Sequence, residues 1–211
     1  MGQLLASEPA YRIAAASIFF PIAFIRRYYS SRAGSARATA REVKDSVASG
    51  RDSRVSTIAL AALAIPYFVA VILYIVYPAL MGWSAVAEFA SVRWAGALCG
   101  WAGMAGLISA QRALADNFSV ALRVKSDQTL VTHGPYARMR HPIYSFGLVV
   151  NAGLGVLTAN WFILLCGVAV VLVAMLSRAK REEQMMLGAY GDQYQAYLER
   201  TGRFFPRLRR G

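Results

Sequence analysis

Two short stretches hold most of the side chains able to do chemistry. The first is Thr132-His133-Gly134-Pro135-Tyr136-Ala137-Arg138-Met139-Arg140-His141-Pro142-Ile143-Tyr144, which carries both histidines of the chain. The second starts at Arg178-Ala179-Lys180-Arg181-Glu182-Glu183 and continues through Tyr190-Gly191, Tyr194, Tyr197 and Arg200 to Arg203-Phe204-Phe205-Pro206. A carboxylate near a membrane is costly unless a cation faces it, so Glu182 and Glu183 suit a cationic ligand. Arg200 and Arg203 suit a carboxylate, which a guanidinium grips with two N–H groups. His141 or a glutamate is the candidate to take a proton from a thiol or amine. Pro142 fits the first turn of a helix, whose free N–H groups and positive dipole end favour a polar or anionic group. Plainer readings stand beside these. Arg140 and His141 also suit lipid headgroups, and Glu182 and Glu183 also balance Arg178 and Arg181. Neighbouring residues on a helix point about 100° apart, so one acid can face a cavity while the other pairs with a neighbour. Tyr190, Tyr194 and Tyr197 fall at i, i+4 and i+7, the spacing of one helical stripe. That stripe is either packing or the wall of a cleft that excludes water.

The elements that must position these groups are apolar. The chain has 211 residues, 57% hydrophobic and 16% charged, too greasy for an ordinary soluble domain. Ile58–Leu80 and Trp94–Gln111 are uncharged runs that each read as one span, and Ile143–Ser177 reads as a tight hairpin of two, turning near Gly153 to Asn160. Ile13–Ile25 is shorter and contains Pro21. It spans only if it starts near Pro9 and Arg12 reaches back to the interface; otherwise it lies at the surface. No basic region precedes it in the manner of a cleaved signal, and the C-terminal Arg-Arg-Gly is no prenylation box. Cys99 and Cys166 sit in apolar runs as core thiols, and no metal-ligand spacing is visible. The expected fold is an all-α integral membrane bundle of about five transmembrane helices with a cytoplasmic pocket formed by the C-terminal half. Its parts are an N-terminal helix and basic loop over 1–57, two spans over 58–114, and a catalytic region over 115–211.

Charge sets the expected orientation. The net charge is +12, and 21 of the 23 Lys and Arg fall in Arg26–Thr57, Arg112–Pro142 and Arg178–Gly211. The alternate loop, Met81–Val92, has none. Positive charge gathers on the cytoplasmic side, so five spans with the N-terminus outside put both chemical stretches on one face. Tyr77, Trp83, Trp94 and Trp161 then mark the outer interface. The distribution favours topology and anionic lipid over nucleic acid as the reason for the charge. The loop over 30–56 holds at most a short surface helix near Ala36–Ala48.

With these residues in place the chain resembles the isoprenylcysteine carboxyl methyltransferase family and its bacterial relatives, which also resemble phospholipid N-methyltransferases. The resemblance rests on Asn117-Phe118-Ser119, Lys125-Ser126-Asp127, Thr129 to Tyr136, Arg140-His141-Pro142-Ile143-Tyr144, Arg181-Glu182-Glu183, Tyr190-Gly191, Tyr194, Tyr197, Arg200 and Pro206. It covers roughly Asp116 to Pro206. It implies an S-adenosylmethionine-dependent membrane methyltransferase without a Rossmann domain. By position, His133, Gly134, Pro135, Tyr136, Arg140, His141, Pro142 and Tyr144 would line the cofactor pocket, with Glu182 and Glu183 at the charged methionine end. Arg200, Arg203 and Glu183 would serve the reaction. One position departs: where the family usually carries glycine, two residues after the motif tyrosine, this chain has Phe146.

Methyl transfer from a sulfonium needs alignment and desolvation more than acid–base help. A carboxylate acceptor cancels charge in the transition state, which a low-dielectric pocket favours. The expected acceptor is a lipophilic small molecule or prenylated group arriving through the lipid, at an inner membrane of bacterial type. Thiol, amine and phospholipid acceptors stay open. An NADPH-dependent sterol-type reductase, which shares an Arg-His-Pro-like motif, and a non-enzymatic scaffold are the other classes.

Overall fold

The structure, a computed structural model, describes residues 2–32, 51–114 and 130–207. Most of the basic loop, the motif residues Asn117–Ser119, Lys125–Asp127 and Thr129, and the last four residues lie outside them. Six α-helices are described: α1 Gly2–Arg32, α2 Arg51–Val76, α3 Ala90–Leu114, α4 Pro142–Leu157, α5 Trp161–Tyr190 and α6 Asp192–Arg200. Short 3-10 turns fill Pro78–Ser84 and Gly134–Ala137. Among the described residues the only β pairing is two isolated bridges, so the expected all-α class holds. The Ile58–Val76 part of α2, and α5, are each long and apolar enough to cross a membrane; α4 is a shorter apolar helix of 16 residues.

Contacts fix the order of the long helices. Arg12 on α1 donates from Nε to the Ile75 carbonyl at 2.7 Å and from Nη2 to that of Val76 at 3.2 Å, satisfying orphan carbonyls at the end of α2. The neighbouring Tyr11 ring lies 5.3 Å from Trp94 at the start of α3. Arg93 is buried; it donates to the Leu157 carbonyl at the end of α4 (2.9 Å) and to the Tyr74 hydroxyl (2.7 Å), and sits 3.6 Å over the Tyr11 ring. These partners spread its charge in an apolar setting. The helices therefore alternate in direction, and Arg112, Arg140 and Arg178 fall at the opposite end. The N-terminal helix is longer than the expected 13-residue run and passes through Pro9 and Pro21.

The hairpin turns over Thr158–Asn160. Asn160 caps α5 by accepting from the Ile163 amide at 3.0 Å, and its Nδ2 donates to Ser84 Oγ at 2.7 Å. Trp83 and Trp161 meet beside this turn, ring centroids 5.5 Å apart and both exposed, as the aromatic pattern predicted for one interface.

Glycines set the spacing of α3 against α4. A Cβ at Gly96 would stand 2.6 Å from the Leu157 amide, and one at Gly153 would stand 2.5 Å from the Gly100 amide. Small residues at four-residue spacing let membrane helices approach backbone to backbone. Gly106 makes room for Phe146, whose ring occupies the space a Cβ there would need. Phe146 thus touches both the main core (Ile18, Val71, Leu154, Ile163) and the smaller cluster around Ala110, Val131 and Tyr136.

Candidate functional site

At the basic end, chain far apart in sequence is laced together. Pro142 occupies the first turn of α4, as the sequence predicted, and His141 stands at the N-cap. Just before it, Arg140 and His141 donate backbone N–H groups to the carbonyls of Gly202 (2.9 Å) and Arg203 (3.0 Å), and Gly202 returns an N–H to Arg138 at 3.1 Å. Ser145, a turn into α4, donates its hydroxyl to the Phe204 carbonyl at 2.5 Å. Residues 201–207 thus form a strap across the start of α4. Its turn requires Gly202, where a Cβ would overlap the Phe205 carbonyl.

Under the strap lies an ionic cluster. α5 is uncharged to Ser177, and its last turns carry Glu182 and Glu183. Glu183 takes Arg140 Nε on Oε1 and Arg203 Nη2 on Oε2, both at 2.9 Å. Arg140 also donates from Nη1 to the carbonyls of Leu198 (3.1 Å) and Thr201 (2.6 Å). The buried His141 ring faces Glu182 Oε2 through Nδ1 and Glu183 Oε1 through Nε2, each at 3.3 Å. Tyr144 donates to Glu182 Oε1 at 2.8 Å. Two carboxylates thus face one imidazole and two guanidiniums.

The electrostatics follow from those neighbours. Burial disfavours a charged His141, but hydrogen bonds and charge from Glu182 and Glu183 outweigh it and raise its pKa. An imidazole with a carboxylate on each nitrogen is suited to be a double donor, the cationic form. Burial likewise opposes ionisation of Glu183, but His141 and Arg140 prevail and hold its carboxyl at about 2. Glu183 is the tighter member of the acid pair, its side chain 16% exposed against 31% for Glu182. The acids divide as helical geometry allows: Glu183 is spent on neighbours, and Glu182 keeps a face toward solvent. Those neighbours are Arg140 and Arg203 from distant chain, not the adjacent Arg178 and Arg181 of the plainer reading.

The remaining predicted residues fall around this cluster. Tyr136 is buried and its carbonyl accepts from the Tyr197 hydroxyl at 2.7 Å, which ties the Gly134–Ala137 turn to α6; burial pushes the Tyr197 phenol up to about 12. His133 and Gly134 are exposed, Pro135 is half-buried, and Gly134 takes a left-handed φ of 59°. Arg203 is 40% exposed, yet its Nε is buried without a hydrogen-bond partner. Arg200 lies exposed, its guanidinium 5.7 Å from the Tyr197 ring centre, with no ion pair to the cluster. The expected tyrosine stripe is not continuous. Gly191, at φ 49°, ends α5, so Tyr190 belongs to one helix while the buried Tyr194 and Tyr197 belong to the next. The sequence reading missed Ser145, Gly202 and the buried Arg93. Only Gly202 carried a local signal, a glycine just past a predicted helix.

Comparison with known proteins gives this site a setting. Residues 91–193 match the phospholipid methyltransferase family. A cobalt-zinc-cadmium resistance protein of Cupriavidus metallidurans is 34% identical over 84 residues, 40% of this chain and 38% of that protein. Protein-S-isoprenylcysteine O-methyltransferase of Tribolium castaneum is 34% identical over 93 residues, 43% of this chain and 32% of that protein. The matched stretches span about a third of these relatives' own lengths. The eukaryotic intramembrane Ras methyltransferase, isoprenylcysteine carboxyl methyltransferase, shares the fold with a TM-score of 0.54 at 23% identity, over 92% of this chain and 67% of that one. The recognised resemblance and the membrane-bundle fold therefore hold.

Proposed function

We propose that this chain, whose residues 91–193 match the phospholipid methyltransferase family, is an integral-membrane S-adenosylmethionine-dependent methyltransferase acting on a lipophilic acceptor. The reading most like it is O-methylation of an isoprenylcysteine carboxylate. The observation that carries this is the convergence of His141, Tyr144, Glu182, Glu183 and Arg203 at one end of an apolar helical hairpin.

The residues present fit the cofactor's chemistry. Glu182 is half-buried and offers carboxylate oxygen to a cationic group, and the buried Nε of Arg203 is a donor with no partner of its own. When bound, S-adenosylmethionine supplies a methyl group already activated on a sulfonium. His133, Gly134, Pro135, Tyr136, Pro142, Tyr144 and Glu182 are the residues assigned to hold it. Tyr144 orients the Glu182 carboxylate by its hydrogen bond. Arg140, His141 and Glu183 act as positioning residues, since their polar groups are spent on one another and on the strap.

The state of His141 bears on the acceptor. In the doubly protonated form that the two carboxylates favour, the imidazole has no lone pair to take a proton, which makes it a poor general base. A thiol or amine acceptor would then have to give its proton to Glu182, the acid with a face toward solvent; a carboxylate needs no base, and its charge is consumed in the transfer. Arg203, with Arg200 beyond it, is assigned to the acceptor carboxylate. By the positive-inside rule the basic end faces the cytoplasm, of a bacterial inner membrane on the sequence reading.

Purified protein incubated with radiolabelled S-adenosylmethionine and a panel of prenylcysteines, thiols, amines and phospholipids tests the reading. Base-labile label on a prenylcysteine is the expected result. Tight NADPH binding with no S-adenosylmethionine binding would reverse it in favour of a reductase.

A further inference from the structure

A single exposed phenylalanine on a water-facing surface is ordinary. Phe205 stands elsewhere. α4 has 16 residues, a length of about 24 Å against a hydrocarbon layer of about 30 Å, so its first turn cannot stand clear of the apolar layer if the helix crosses it. The strap is registered to that first turn. Arg140 and His141 pair with Gly202 and Arg203, and the Ser145 hydroxyl, about 5 Å further along the helix axis, holds the Phe204 carbonyl. The segment Phe204–Phe205 therefore lies at the depth where α4 enters the lipid. Phe204 turns its ring to His141, centroids 5.5 Å apart, while Phe205 is 77% exposed. Pro206 and Arg207 after it are exposed as well.

We propose that Phe205–Arg207 is a membrane-surface anchor. The Phe205 ring inserts among lipid headgroups and the first acyl carbons, and the Arg207 guanidinium, which donates from Nη1 to the Glu199 carbonyl, turns its remaining N–H groups to the phosphates. An apolar ring beside a basic side chain at this boundary is the pattern of interfacial binding. The anchor would hold the strap, and with it the Arg203 side of the ionic cluster, level with the bilayer surface. It goes beyond the methyltransferase reading and does not need it.

Depth can be measured without any activity. A nitroxide is placed on Phe205→Cys in a Cys99→Ala, Cys166→Ala background, and the full chain is reconstituted into phosphatidylcholine–phosphatidylglycerol vesicles. Ala189→Cys, exposed at the far end of α5 and six residues beyond Glu183, serves as the aqueous reference, and Leu165→Cys, exposed on its apolar part, as the lipid reference. The label at 205 is expected to collide with oxygen severalfold more, and with a water-soluble nickel chelate severalfold less, than the label at 189. Its depth should be about 5–10 Å below the headgroup surface. A second label at Pro206→Cys, should the first variant fail to fold, is expected to be shielded from nickel to a smaller degree. Collision rates equal to those at 189 would overturn the anchor. So would shielding that develops only after S-farnesylcysteine is added, since that would assign the ring to the acceptor instead of the bilayer.

Discussion

Replacing Glu183 with glutamine removes one negative charge from between three cationic groups and should cost far more stability than the same change at Glu182. Glu183 bridges Arg140 and Arg203 at 2.9 Å and faces His141 at 3.3 Å. Breaking a buried pair costs roughly 3–5 kcal/mol. Arg203 is 40% exposed, so water screens its share, and we expect the low end, about 3 kcal/mol. At about 2–4 °C per kcal/mol for a chain of this size, the midpoint in detergent should fall by about 6–12 °C at pH 7. Acid gives a second readout. The native Glu183 pKa, about 2, lies below the ordinary 4.5, so its stabilisation is complete above pH 4.5 and is lost as pH falls toward 2. The gap between wild type and variant should close over that window. His141 gives the opposite arm. Its pKa is raised from 6.5, so its contribution is whole below that pH and is lost as pH rises through the native value. The variant should show a weaker alkaline decline. A thermal midpoint for Glu183→Gln equal to wild type at pH 7 would refute the view that this carboxylate holds the strap to α4 and α5.

Other outcomes follow from the same geometry. Glu182→Gln should weaken S-adenosylmethionine binding by about tenfold, a loss of roughly 1.4 kcal/mol in titration calorimetry, while shifting the melting midpoint little; unchanged affinity removes Glu182 from the pocket. Arg200→Ala should raise the KM for a prenylcysteine with kcat nearly intact, and an effect on yield alone refutes its role in holding the acceptor. Phe146→Ala should cost about 3 kcal/mol. Gly106→Ala should destabilise the wild type, because its methyl overlaps the Phe146 ring, and be tolerated once Phe146 is alanine; additive losses would show that the two do not touch. Asn160→Ala should cost about 2 kcal/mol, since it removes the α5 cap and the donor to the buried Ser84 hydroxyl, which keeps only its bond to the Met81 carbonyl.

Much of this architecture was legible because the physics behind it is local or additive. The apolar run Ile143–Ser177 is too long for one helix and too polar at its centre to continue, and it turns at Thr158–Asn160 as read. The segregation of Lys and Arg gave the alternating order that Arg12, Arg93 and their partners then display. The meeting of Arg140-His141 with Glu182-Glu183 followed from placing both stretches at one end. What escaped were features set by contact. Nothing in the sequence distinguishes Arg93, which is buried, from an arginine at the interface; its partners come from three other helices. The division of labour between Glu182 and Glu183 depends on which acid the strap reaches. The tyrosine spacing misled because period alone cannot see that Gly191 takes a left-handed turn. Phe146 stood out as a departure, but its counterpart Gly106 lies on another helix, where only the fold could pair them.

The glycine seam between α3 and α4 carries a mechanical consequence. Side chains that line an ordinary helix contact can swing between rotamers and let a guest slip through; at Gly96, Gly100 and Gly153 there are none to swing. Prising these two rods apart there would open an empty slot, with no side chain at these three positions to close it. The pair therefore behaves as a welded plank. Any doorway for an oily molecule must lie along seams built from larger side chains.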